Sequence, residues 1–318
     1  MLNALLLIIG FVLLIFGADK LVDGASALAR KYNIPNIVIG LTIVAFGTSA
    51  PELVVNVFAA VSGNTEMMLG NVLGSNIFNV LGILGICALI APLAVKRNTT
   101  WIEIPLAFLA AIVVLVIAND VFLDKNATNI TTRSEGVMLL FFFVIFLVYN
   151  LQVAKSGRAT EDIETKEMSM LKSLLFIVFG LAGLVVGGRL IVTSAVEFAQ
   201  LMGISERIIA LTIVAIGTSL PELATSVVAV RKGNTDIAIG NVVGSNIFNI
   251  FFIFGVSTVI APSIISPGSQ IDILVNILAS LLLFFFIFTG KGRKLERWEG
   301  ILFILMYVAY LVFLIYGV

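Results

Sequence analysis

Two glutamates lie inside long apolar stretches, where a charged side chain is hardest to accommodate. Glu52 and Glu222 each directly follow a proline, Pro51 and Pro221. On insertion scales a charge at the bilayer centre costs at least about 2.5–3.5 kcal/mol, so an intramembrane carboxylate indicates an ion-related function. Proline donates no backbone hydrogen bond and displaces the carbonyl four residues earlier. Each motif therefore predicts a kinked helix with free carbonyl oxygens beside a carboxylate.

Polar side chains accompany both glutamates at helical spacing. Thr48 and Ser49 lie four and three residues before Glu52, so the three share one helix face. A polar stripe at i, i+4, i+8 follows in the next apolar segment. The two sets of neutral residues are Thr48, Ser49, Asn71, Ser75 and Asn79, then Thr218, Ser219, Asn241, Ser245 and Asn249. Carboxylate, hydroxyl and amide oxygens are hard ligands that suit Ca²⁺ and Na⁺. The absence of soft ligands from these motifs argues against Zn²⁺ and Cu⁺.

The region around the first glutamate recurs around the second. Residues 39–92 align with 209–262 without a gap, and about 31 of the 54 pairs are identical. An internal repeat takes precedence over other sequence features in predicting the fold. The copies lie five predicted helices apart, an odd number, so they enter the membrane from opposite sides. Inverted repeats with an ion site near the bilayer midplane are typical of secondary transporters.

Composition and hydropathy place these motifs in a membrane protein. Of the 318 residues, 60% are hydrophobic and 12% are charged, whereas soluble domains carry about 25% charged residues. A bilayer core about 30 Å thick needs about 20 apolar residues per helix. Ten helices are predicted, at 3–29, 35–61, 67–90, 101–119, 135–154, 169–199, 205–231, 237–260, 271–290 and 298–317. The sequence thus predicts an all-α integral membrane protein of ten transmembrane helices, built as two inverted five-helix repeats.

The basic residues predict how this chain is oriented. We divide it into a first half, 1–155, a polar linker, 156–169, and a second half, 170–318. Fourteen Lys and Arg residues lie in or beside the loops after helices 1, 3, 5, 7 and 9, against three on the opposite side. Because cytoplasmic loops carry the excess of Lys and Arg, we expect the linker inside the cell. Both termini are then outside, and the protein lies in the cell membrane.

Other features of the composition exclude several classes of function. The net charge of zero gives no excess of positive charge that would indicate nucleic-acid binding. There is no histidine, so Ser–His nucleophiles and His-based zinc sites are absent, and the single cysteine, Cys87, rules out an internal disulfide. We therefore predict that the protein is not an enzyme and uses no cofactor. Its expected partners are ions and the lipid bilayer, and we expect it to function as a monomer.

The paired motifs resemble the two α-repeats of the calcium/cation antiporter superfamily, and in particular its sodium/calcium exchanger branch of the prokaryotic type. The resemblance is carried by IVAFGTSAPEL with IVAIGTSLPEL, and by GNVLGSNIFN with GNVVGSNIFN. It implies a ten-helix antiporter that exchanges Ca²⁺ for Na⁺. It also implies that helices 2, 3, 7 and 8 surround the site, and that helices 1 and 6 form the moving pair.

The resemblance further implies a set of ligands for the cations. Glu52 and Glu222 correspond to the paired Ca²⁺-binding carboxylates. The other implied ligands are the hydroxyls of Ser49, Ser75, Ser219 and Ser245, backbone carbonyls at Thr48, Thr218, Ala45 and Ala215, and the side chains of Asn79 and Asn249. Some members carry Asp at the position of Asn249. The amide here leaves two carboxylates instead of three, which weakens any expectation of K⁺ co-transport.

Charge balance suggests how such a site would couple two ions. One Ca²⁺ or two Na⁺ neutralise two ionised glutamates, so the ions compete for shared oxygens, and the inverted halves expose them alternately to each side. A Ca²⁺/H⁺ antiporter using the same carboxylates is the open alternative, and the number of ions per cycle is also open. An ion channel is disfavoured, because pores usually come from oligomeric symmetry and not from an inverted repeat within one chain.

Overall fold

The computed structural model of the protein describes residues 2–63, 65–125, 127–155, 168–201, 215–266, 268–290 and 292–316. These residues form a bundle of long helices with short connections. The helices are α1 (Leu2–Lys31), α2 (Asn36–Thr48 and Ala50–Val61), α3 (Met67–Ile90), α4 (Thr99–Ile117), α5 (Arg133–Lys155), α6 (Met170–Leu201), α7 (Ala215–Thr218 and Leu220–Arg231), α8 (Thr235–Ile260), α9 (Ser269–Phe286) and α10 (Arg297–Tyr316). A single helical turn, Asp120–Leu123, lies between α4 and α5.

The number and position of the helices follow the prediction. Within the described part of the chain, eight helices are long and apolar enough to cross a membrane, and the bent α2 makes a ninth. The described ends of these nine lie within four residues of the predicted boundaries. The beginning of the predicted seventh helix, at 202–214, lies outside the described residues, as does most of the predicted linker. The fold is an all-α membrane bundle of ten helices.

Both glutamate motifs interrupt their helix, as their prolines predict. In α2 the two halves meet at Ser49 and are bent by 48°. In α7 the break falls at the equivalent residue, Ser219, which has nearly the same backbone angles (φ −90°, ψ 10°) as Ser49 (φ −82°, ψ 9°). Each proline lies in the first turn of the second half, where the missing N–H would have no helical partner. The prediction of a kink at the first motif is confirmed.

The helices that carry the repeat form the centre of the bundle. In the most apolar 18-residue window of each, 78% of the residues of α3 and 94% of those of α8 are buried, against 22–44% for the other unbroken helices. Both contain a wide π-helical turn, at Phe78–Leu84 and Asn249–Phe254. The polar stripes predicted on these two helices are accordingly buried in protein, except for Asn71, which is half-buried.

The first and sixth helices pack against each other over the largest interhelical contact in the described chain. Glycines make this close approach possible. A Cβ atom added at Gly17 would lie 2.7 Å from the carbonyl oxygen of Gly180, and one at Gly180 would lie 2.8 Å from that of Gly17. Small residues commonly let membrane helices approach to backbone contact. The two helices thus form one compact unit beside the central four.

Two short antiparallel ladders, which the sequence did not predict, connect the loops. Strand β1 (Leu93–Ala94) pairs with β4 (Lys294–Leu295), and β2 (Ile130–Thr131) pairs with β3 (Ser263–Ile264). β1 follows α3 and β3 follows α8, so the repeat relation extends to the strands. Each ladder ties the loop after one repeat to a loop in the other half of the chain.

Candidate cation site between the two repeats

The two glutamates are bound by serines of the opposite repeat. Ser49 Oγ donates to Glu222 Oε1 at 2.8 Å, and Ser219 Oγ donates to Glu52 Oε1 at 3.1 Å. Each serine lies at the break of its helix, and each glutamate is only 1% exposed. The two bonds are mirror images under the internal repeat. They bring the carboxylates to one place although these are 170 residues apart in the chain.

The broken helices also provide electrostatic support for negative charge. Glu52 lies in the first turn of Ala50–Val61, and Glu222 in the first turn of Leu220–Arg231. The N-terminal end of a helix carries a partial positive charge and favours an anion there. Two helix N-termini and two serine hydroxyls thus face two carboxylates. The sequence positions the glutamates in this way because proline is tolerated only at the start of the new helix segment.

Neighbouring polar residues extend the site into α8. Ser245 Oγ lies 3.0 Å from Ser49 Oγ, and Thr48 Oγ1 hydrogen-bonds Asn241 Oδ1 at 3.0 Å. The Asn241 amide in turn donates to the backbone oxygen of Glu222 at 3.2 Å. These bonds connect the first glutamate motif to the second polar stripe, so α2, α7 and α8 share one polar interior.

Several oxygens of the predicted ligands are buried without a hydrogen-bond partner among the described residues. They are Glu52 Oε2, Glu222 Oε2, Ser75 Oγ, Asn79 Oδ1 and Asn249 Oδ1. Leaving one buried polar atom unsatisfied costs about 1–3 kcal/mol, so a group of five needs an explanation. All five can act as hard cation ligands, and Ca²⁺ takes 6–8 such oxygens. The donor set therefore fits a hard cation.

The structure brings half of the predicted ligands together by direct hydrogen bonds, namely Thr48, Ser49, Glu52, Ser219, Glu222 and Ser245. Ser75, Asn79 and Asn249 are buried on α3 and α8, and each has an oxygen without a partner among the described residues. The Ala45 carbonyl accepts the Ser49 N–H at 3.0 Å, inside the first half of α2. Ala215 begins the described part of α7. Thr218 is half-buried, whereas its counterpart Thr48 is fully buried.

The site lacks a third carboxylate within the described residues. No group of three or more His, Cys, Asp or Glu side chains is arranged to hold a metal ion anywhere in the described ranges. A cation at this place would therefore meet two carboxylates and several neutral oxygens. Two further residues, Asn76 and Asn246, participate in the polar interior and were not predicted. Their repetition in the GSN segments was the signal that could have identified them.

Comparisons with known proteins agree with this architecture. The family model for the sodium/calcium exchanger protein matches residues 2–152 and 172–316. The chain is 40% identical over 312 residues to the putative antiporter CaxA of Alkalimonas amylolytica, with 95% of each protein covered. It is 33% identical over 346 aligned positions to the sodium/calcium exchanger MaX1 of Methanosarcina acetivorans, with 99% of each covered.

A solved structure shows the same fold. The sodium-calcium exchanger NCX_Mj, soaked with 2.5 mM Na⁺ and 10 mM Sr²⁺, superposes with a TM-score of 0.83 at 32% identity, and 98% of each chain is covered. The family match spans both repeats, and the structural match spans nearly every residue. Together with the inverted ten-helix architecture, these matches show that the chain belongs to the sodium/calcium exchanger family of membrane antiporters.

Proposed function

We propose that this protein exchanges Ca²⁺ for Na⁺ across the cell membrane, and that both ions bind in turn between Glu52 and Glu222. The observation that carries the proposal is the reciprocal pair of serine–glutamate bonds, which gathers two carboxylates and leaves one oxygen of each unpaired. An intramembrane carboxylate pair of this kind is expensive unless it binds ions. The names of the relatives MaX1 and NCX_Mj support the choice of Na⁺ and Ca²⁺.

The ligand set of the proposed site combines charge with neutral oxygens. The proposed ligands are Glu52, Glu222, Ser49, Ser75, Ser219, Ser245, Asn79 and Asn249, with backbone oxygens at Ala45, Thr48, Ala215 and Thr218. Two ionised glutamates carry two negative charges, which one Ca²⁺ or two Na⁺ neutralise. A third Na⁺ would make exchange sensitive to voltage, by about 2.3 kcal/mol per charge per 100 mV. Competition for the same oxygens couples the two ions.

The proposed motion is a displacement of α1 and α6 together against the central helices. The glycine contacts at Gly17 and Gly180 join these two helices closely. Beside α7, Lys232 Nζ lies 2.7 Å from Asp19 Oδ1 and 2.5 Å from Asp23 Oδ1, both on α1. We infer that these two ion pairs hold the C-terminal half of α1 against the centre. By the distribution of Lys and Arg, the C-terminal end of α1 is cytoplasmic.

A Ca²⁺/H⁺ antiporter is the second candidate, because the same buried carboxylates can carry protons. It predicts the same ligands and the same Ca²⁺ flux, and differs only in the ion whose gradient drives uptake. Both candidates place the termini outside and the linker 156–169 in the cytoplasm, and both treat the monomer as the functional unit.

The two candidates are separated by measuring ⁴⁵Ca²⁺ uptake into proteoliposomes under one gradient at a time. In the first arm an outward Na⁺ gradient is imposed, with pH equal on both sides and a protonophore present. In the second arm an outward proton gradient is imposed without Na⁺. We expect uptake in the first arm only. Uptake driven by protons alone would replace Na⁺ with H⁺ in the proposal, and uptake in neither arm would refute Ca²⁺ exchange.

A further inference from the structure

Four asparagine side chains connect the two repeats in the centre of the bundle. Asn76 Nδ2 donates to the backbone oxygen of Asn246 at 3.2 Å, and Asn246 Nδ2 donates to that of Asn76 at 3.3 Å. Asn79 Nδ2 donates to Asn246 Oδ1, and Asn249 Nδ2 donates to Asn76 Oδ1, both at 3.0 Å. All four side chains are at most 3% exposed. The result is a closed network of two mirror-related halves.

The chemistry of the acceptors determines the orientation of every amide in this network. A backbone carbonyl can only accept, so the nitrogens of Asn76 and Asn246 must face the two carbonyls. Their side-chain oxygens then face Asn249 and Asn79, which must supply the donors. Consequently the oxygens of Asn79 and Asn249 point away from the network. These two oxygens are among the buried atoms without a hydrogen-bond partner in the described chain.

We propose that Asn76 and Asn246 are positioning residues for the cation site. Each holds the site asparagine of the opposite repeat so that its amide oxygen, and not its nitrogen, is presented to the ions. The inference rests on the proposed function, since it assigns the role of the two oxygens to cation binding. The hydrogens of an amide NH₂ group carry positive partial charge and would repel a cation, and a side-chain amide without partners can turn its NH₂ group toward the ion. The hydrogen bonds of the network prevent this orientation at Asn79 and Asn249.

The hydrogen bonds of the network also predict which asparagine orients which. Asn76 lies three residues before Asn79 on the same helix, so proximity in the sequence would pair those two. The hydrogen bonds instead pair Asn76 with Asn249 and Asn246 with Asn79, across the two repeats. This crosswise dependence distinguishes a positioning role from a general contribution to packing between α3 and α8.

Double-mutant cycles on the Michaelis constant for Ca²⁺ test the inference, with Na⁺-driven ⁴⁵Ca²⁺ uptake as the assay. Loss of one positioning hydrogen bond is expected to raise this constant roughly 3- to 10-fold for Asn246→Ala. In a background of Asn79→Ala, the same substitution should raise it no further, because the amide it positions is gone. Asn76→Ala is the matched control in that background, where it should keep its full effect because its partner is Asn249.

The mirror arm, Asn76→Ala in a background of Asn249→Ala, is expected to behave in the same way and remains available if one variant of the first arm does not fold. The inference is overturned if the crosswise pairs are additive, if Asn76 couples to Asn79 instead, or if only the melting temperature falls while the Michaelis constant stays unchanged. Failure of the proposed function is recognised separately, because the parent protein would then take up no Ca²⁺ under a Na⁺ gradient. In that case the same cycles are measured on the rise in melting temperature that Na⁺ or Ca²⁺ produces.

Discussion

Removing the charge of one glutamate is the most direct test of the proposed cation site. In Glu52→Gln the amide keeps an oxygen that can accept from Ser219, so the 3.1 Å hydrogen bond between the repeats is preserved. The unpaired Oε2, which we propose binds the ion, becomes an NH₂ group. The same reasoning applies to Glu222→Gln, whose oxygen keeps the 2.8 Å bond from Ser49. Each variant therefore loses one charge and one ligand while its local geometry is retained.

The size of the effect follows from the charge that is lost. At an effective dielectric constant of about 20, a divalent cation about 2.4 Å from one carboxylate oxygen is attracted by about 14 kcal/mol. Desolvation of the carboxylate offsets much of this. Removing one partner of a buried charge pair costs about 3–5 kcal/mol in proteins. We therefore expect Ca²⁺ to bind roughly a hundred to several thousand times more weakly in either variant.

The assay is Na⁺-driven ⁴⁵Ca²⁺ uptake into proteoliposomes, with Ca²⁺-induced thermal stabilisation of the purified protein as an independent measure of binding. Glu299→Gln is the matched control, because Glu299 is also fully buried but lies at the start of α10, where it accepts from Thr289 and from the backbone N–H of Glu296. We expect the control to transport at nearly the parental rate. If Glu52→Gln or Glu222→Gln keeps uptake within about threefold of the parent, the charge argument is wrong and the glutamates do not bind the ion.

Three further predictions concern orientation, the α1 ion pair and the packing of α1 on α6. An impermeant thiol reagent should label Ser62→Cys in intact cells but Ser156→Cys only after permeabilisation; the reverse pattern would invert the orientation. Lys232→Ala removes two partly exposed ion pairs worth about 1 kcal/mol together, so amide hydrogen exchange in the facing part of α1 should become about fivefold faster. An unchanged exchange rate would show that these ion pairs do not stabilise the contact of α1 with α7. Gly180→Val should reduce uptake at least about tenfold, because a Cβ there meets backbone at 2.7 Å and the helices must move apart. Gly188→Ala, whose Cβ would have 3.8 Å of room, is its control on the same helix, and equal uptake by the two variants would contradict the packing argument.

The sequence by itself determined the helices, their interruption and the residue types of the site. Apolar length specifies a membrane helix because the bilayer core has a fixed thickness. Proline before Glu52 specifies a break because it cannot donate the helical hydrogen bond. The two copies of the repeat align without a gap and enter the membrane from opposite sides. Glu222 is therefore expected to have the same role in the second half of the chain as Glu52 has in the first. These inferences depend only on local chemistry and on counting helices, so no knowledge of interhelical contacts was needed.

Only the tertiary structure decided which side chains meet. Helical periodicity puts Ser49 on the same face as Glu52, yet its hydroxyl bonds Glu222. Likewise Asn76 and Asn246 look like any polar residues of a central helix until the distances show which amide each one holds. Lys232 reaches α1 across more than two hundred residues of chain. Such partners depend on the distance and crossing angle between helices far apart in sequence, and periodicity within one helix carries no information about either.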